Sequence, residues 1–104
     1  MGTPFRGKVD RTVSDTTFVV WYSGAWCVLE TTEAMNLNAG DDLEADWHAI
    51  GPQQIVIKSP DARRRLGKYT FAGSIADTQC RRDQAITIAR DRVIIRRQFP
   101  PAQS

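Results

Sequence analysis

From Phe5 onward apolar and polar residues take turns. Phe5, Gly7 and Val9 fall on one side, and Arg6, Lys8 and Asp10 on the other. A period of two is the pattern of a strand with one wet face. Residues 11–16 are polar and turn-prone. Thr17–Tyr22 is β-branched or aromatic throughout and predicts a second strand. Ser23-Gly24 then separates it from a third strand over Ala25–Thr31. Such a pair suits a tight hairpin, because glycine accepts the positive φ that primed turns need.

Residues 33–40 read as a loop with at most one helical turn, closed by the turn chemistry of Asn38-Ala39-Gly40-Asp41. Leu43, Ala45, Trp47 and Ala49 alternate with Glu44, Asp46 and His48, which predicts a fourth strand. Gly51-Pro52 is expected to break that strand, since proline lacks a donor and glycine bends the backbone. Ile55 to Lys58 forms a short fifth strand. Ser59-Pro60 looks like a helix start, with Ser59 as N-cap and Pro60 at the first helical position. Gly67 ends that helix after about two turns. Tyr69, Phe71, Gly73 and Ile75 alternate again as a sixth strand. For residues 78–97 two readings compete. One is a helix over 78–89, capped by Asp77 or Thr78, followed by a strand over 93–96. The other is a hairpin of Ile86-Thr87-Ile88 with Val93-Ile94-Ile95. The helix-then-strand reading is preferred.

Many short strands at close spacing predict a mainly β domain, a small barrel of five to six strands with minor α content. The rhythm Phe5-x-Gly7-x-Val9, Trp26-x-Val28-Leu29-Glu30, Gly40-Asp41-x-Leu43 and Gly51 resembles that of small OB-like barrels over residues 5–58. It also looks like small uncharacterised bacterial barrel proteins in which a further strand and a helix follow. An SH3-like barrel is the alternative. The resemblance implies an architecture and supplies no functional residue.

Composition narrows the class. A chain of 104 residues, 41% hydrophobic and 25% charged, fits one globular domain, expected over residues 1–98 with a flexible tail at 99–104. No apolar run is long enough to span a bilayer, and no secretory signal precedes the first strand. A cytoplasmic location is expected, with no membrane partner. Cys27 and Cys80 read most simply as two reduced thiols, with one disulfide as the alternative.

The charge is unevenly spread. Residues 1–60 hold four basic and eight acidic residues, a net of −4, while residues 61–104 hold ten and four, a net of +6. Such asymmetry permits an acidic partner, attraction between the two halves of the fold, or docking of two copies. Arg63, Arg64 and Arg65 form a run, and Arg81, Arg82, Arg96 and Arg97 form two pairs. The planar guanidinium fork suits phosphate, so these are the candidate nucleic-acid residues. Trp21, Tyr22 and Trp26 flank one hairpin tip and are the candidate aromatic interaction surface. Glu44, Asp46 and His48 would line one strand face, yet a lone histidine there is most simply solvated, and no metal or cofactor is expected. No nucleophile–base spacing and no phosphate loop is present. The expected function is therefore a non-enzymatic binding or accessory module for a protein partner or a second copy, self-associating through its aromatic strand faces, with a homodimer as one form this can take. A nucleic-acid-binding barrel is the alternative, and a small hydrolase around His48 the weakest reading.

Overall fold

A computed structural model describes residues 4–98. The expected tail at 99–104 lies outside them. The chain runs β1 (Phe5–Ser14), β2 (Thr17–Tyr22), β3 (Ala25–Thr31), β4 (Asp42–Ala45), β5 (Gly51–Ile57), α1 (Pro60–Leu66), β6 (Thr70–Cys80) and α2 (Arg82–Gln98). The strands close into one antiparallel ring in the order β1-β2-β3-β6-β5-β4, the small barrel with minor helix that the strand pattern implies.

Closure falls to β1. Its first half pairs with β4 from Phe5 to Lys8, and its second half pairs with β2 from Lys8 to Ser14. Register shifts at Val9/Arg11 and Thr12/Ser14 bend the strand from one partner to the other. Bulges of this kind bend and twist a strand locally. This is why residues 11–14, expected as turn, are strand instead. At the β2–β3 hairpin Ser23 and Gly24 both take positive φ, 46° and 82°, as a primed turn demands.

The alternation of β1 to β6 sorts side chains onto two sides of the wall. Phe18, Leu29, Leu43, Ile55, Ile57 and Ile75 fill the interior. Trp47 crosses it, fully buried, with Nε1 donating to the Phe5 carbonyl at 2.8 Å. Gly7 makes room for that indole: a Cβ there would stand 2.8 Å from Trp47 Cε2 and 2.9 Å from Val20 Cγ1. At one end Ala62 of α1 joins Met35 and Leu37 of the loop after β3 in the same core, with Leu66 packed against it.

Several local expectations are corrected. β4 stops at Ala45, because Gln53 takes over the next backbone groups. Its Oε1 accepts from the Asp46 N–H at 2.9 Å, and its Nε2 donates to the carbonyls of Asp46 and Ala49. Gly51-Pro52 therefore does not end the fourth strand but begins β5; proline is tolerated at a strand start. Ser59 is the N-cap residue and Pro60 opens α1 as expected, but the Ser59 hydroxyl makes no capping bond and accepts instead from the Asp42 N–H at 2.6 Å. Gly67 ends α1 in the left-handed region (φ 68°), with its N–H on the Arg63 carbonyl. β6 runs on to Cys80, so Asp77 and Thr78 are strand residues and cap nothing. At the start of α2 the Gln84 side chain accepts from the Arg81 N–H at 3.4 Å, half of a capping box.

The largest correction concerns Val93 to Arg96, which continue α2 and form neither a strand nor half of a hairpin. A closed six-stranded ring offers no free edge for another strand. In a helix these residues satisfy their own backbone, and Arg92 and Arg96, one turn apart, both reach Glu30. Inward-facing Ala85, Ile86 and Ala89 pack α2 on Val19, Val28 and Cys80, making a second core outside the barrel wall.

Candidate functional site

The charge asymmetry is met largely within the chain. Arg82 Nε reaches Asp10 at 2.9 Å, Arg92 reaches Glu30 at 2.7 Å, Arg65 reaches Asp41 at 2.5 Å and Lys68 reaches Glu33 at 3.0 Å. Each pair joins the basic second half to the acidic first half. Arg65 also donates to the Asn36 carbonyl, and Arg96 to the Thr16 hydroxyl. Hydrogen bonding to Glu30 raises the already high pKa of Arg92, so its charge is permanent.

The candidate arginines differ in what they touch. Arg65, Arg82 and Arg96 bind the fold's own groups. Arg64 pairs with Asp61 within α1, both widely exposed. Arg81 is exposed before α2. The Arg97 side chain lies outside the described set. Arg63 is half-buried, donates from Nε to the Ile57 carbonyl at 2.8 Å, and sets its guanidinium 4.9 Å from the centre of the Tyr69 ring.

The hairpin aromatics separate in the same way. Trp21 is 41% exposed, while Tyr22 is 1% exposed and points into the barrel. Trp26 is half-buried and packs against the core beneath α2. Of the three rings Trp21 is the exposed one: hairpin register turns Tyr22 to the inner side, while Trp26, directly opposite Trp21 on the outer side, is half-covered by the core under α2. Tyr22 serves the barrel end. The Gln79 N–H donates to its hydroxyl at 2.7 Å, that hydroxyl donates to Thr78 Oγ1 at 2.5 Å, and Thr78 donates to the Trp47 carbonyl. Gln79 takes a positive φ of 56° in placing that N–H. This chain of bonds ties β2, β6 and the turn after β4 together.

His48 lies in that turn and is exposed, with its ring tilted over Phe5 (5.0 Å) and edge-on to Tyr22 (5.4 Å). Asp46 accepts from the His48 backbone N–H at 3.3 Å. Among the described residues no three His, Cys, Asp or Glu side chains are placed to hold a metal. The cysteines are free. Cys27 belongs to the inner core and Cys80 to the outer one, and burial pushes both thiols up, away from the reactive thiolate.

Four exposed apolar residues stand outside the candidates that the sequence marks, the first being Ile50 in the turn before β5. Tyr69 is 67% exposed, although alternation had grouped it with the inward-facing Phe71. Ile94 and Ile95 are 52% and 54% exposed on α2. A helical wheel carried past Ala89 would have set Ile94 opposite Ala85, but the β-branched run argued for a strand. No helix among the described residues is long and apolar enough to cross a membrane. Comparison with protein-family models, with curated proteins and with solved structures returns no match to this chain.

Proposed function

We propose that the chain is a non-enzymatic protein-interaction module on a small OB-like barrel, and that it self-associates through the outer face of α2. The observation that carries this reading is the pair of adjacent isoleucines, Ile94 and Ile95, open to solvent on a helix whose other side is already packed. Solvated helix faces are ordinarily polar, and exposed apolar ridges mark contact surfaces. Arg90 and Asp91 are exposed one turn before them. In an antiparallel pairing of two α2 helices about a two-fold axis beside Arg90 and Asp91, Arg90 of each copy meets Asp91 of the other and Ile94 covers the exposed Thr87 of the other. A two-fold interface requires this kind of self-complementarity. The ridge is small, so the association is weak and depends on concentration.

Sedimentation equilibrium across a wide concentration range tests the reading. The wild type is expected to shift towards dimer, and Ile94→Glu to remain monomeric. Arg90→Asp alone should weaken the dimer, and Arg90→Asp combined with Asp91→Arg should restore it. A wild type that stays monomeric at the highest soluble concentration overturns the proposal.

A further inference from the structure

At the α1 end of the barrel a second surface uses none of the α2 face. Tyr69 stands just before β6, and its carbonyl accepts the Ile57 N–H at 2.8 Å. The Ile57 carbonyl in turn accepts Arg63 Nε at 2.8 Å. One residue of β5 therefore anchors both the tyrosine backbone and the guanidinium that lies against the ring. The ring itself remains 67% exposed.

An exposed tyrosine alone calls for no explanation. The surrounding charges set this one apart. Lys8, Arg64, Arg65, Lys68, Arg82, Arg92 and Arg96 all have carboxylate partners. Among the described residues Arg6, Arg11, Lys58, Arg63, Arg81 and Arg90 have none, and of these Arg63 and Lys58 are the two held next to Tyr69 through Ile57. Lys58 directly follows Ile57, and both cations are half-buried. Beside them the Gln54 amide donates to the Thr70 hydroxyl at 3.0 Å on the outer side of β5 and β6.

We infer that Tyr69, backed by Arg63, is a stacking platform for one base of a single-stranded nucleic acid, with Lys58 and Arg63 taking the adjacent phosphates. A carboxylate ligand would use the cations and leave the ring idle. A base joined to a phosphate uses both, and stacking on an aromatic face accepts any base. The anchored guanidinium lowers the entropy lost on binding.

Fluorescence polarisation of a labelled oligodeoxyadenylate of about twelve nucleotides tests the site. Wild-type protein should bind at low salt, and contacts with two phosphates should give a log–log salt slope of about −1.4. Tyr69→Ala should weaken binding by about 5- to 160-fold, the range of a lost base stack. Tyr69→Phe, which keeps the ring, should bind as wild type. Both replacements are at an exposed position, and an unchanged melting temperature shows that the fold is kept. No binding at low salt, or equal affinity of Tyr69→Ala and wild type, overturns the inference. So does equal affinity for a duplex of the same length. Adenosine monophosphate competing as well as the strand would make a free nucleotide the ligand and overturn the assignment to a strand.

Discussion

The barrel wall has a core on each side, and the two are built differently. The inner core is large and aromatic, with Phe18, Tyr22 and Trp47 among branched aliphatics that the closed ladder encloses. The outer core is small. Alanines and two isoleucines of α2, Ile86 and the half-buried Ile88, rest on Val19, Val28 and Cys80. Arginine–carboxylate pairs close its margin, from Asp10–Arg82 to Glu30–Arg92. Apolar burial scales with area, so the inner core carries most of the stability. Ion pairs at a partly solvated margin contribute less and weaken with salt. The difference teaches that α2 is the separable part of the molecule, held by small contacts and by charge, while the ring opens only as a whole.

The sharpest way to break the comparison is to strike the inner side. Trp47→Ala removes a buried indole together with its bond to Phe5, and should cost about 3–5 kcal/mol. Urea unfolding read by circular dichroism checks this, and a change below about 1 kcal/mol would mean that the interior is not the principal core.

Next in size is the clasp of α2. The Glu30 side chain is 13% exposed between Arg92 and Arg96, and those arginines keep part of their hydration. Glu30→Gln should therefore cost about 1–2 kcal/mol, less than a fully buried pair. Hydrogen exchange should quicken in α2 and stay unchanged in β1 and β4. Equal quickening throughout would show one cooperative unit and remove the distinction.

The smallest effect sharpens the comparison through pH. Burial raises the Cys27 pKa first, and the neighbouring Cys80 adds to it, while a backbone hydrogen bond at Val20 opposes. An unfolded thiol titrates near about 8.5. Below that pH the contribution of Cys27 is fully present. As pH rises further the unfolded chain loses a proton that the folded chain keeps, so stability falls by up to about 1.4 kcal/mol per pH unit. Cys27→Ala should show a flatter loss between about pH 9 and 10 in thermal melts. A slope equal to wild type would place the alkaline sensitivity in another group.

Much of the strand pattern was legible because each alternating run has its own period. Phe5 to Val9 and Phe71 to Ile75 declare which residues face inward. The misreadings share one cause. At Val93 to Arg96 local β propensity met a ring with no free edge, and at residues 11–14 a polar stretch was drawn into pairing by bulges in β1. The candidate sites were less legible. An arginine in a sequence does not show whether a carboxylate far along the chain will meet it, and Arg65, Arg82 and Arg96 are all engaged that way.

By itself the sequence determined the short strands, the Ser23-Gly24 turn, the Gly67 stop and the surplus of charge of each sign in the two halves. These depend on neighbours along the chain, through side-chain period, allowed φ and simple count. Only the tertiary structure decided that the opposite charges would meet each other, that Tyr22 would turn inward, and that Tyr69, Ile94 and Ile95 would remain in water. Those outcomes depend on which segments the closed ring brings together, and ring closure joins residues such as Glu30 and Arg92 whose separation along the chain carries no local signal.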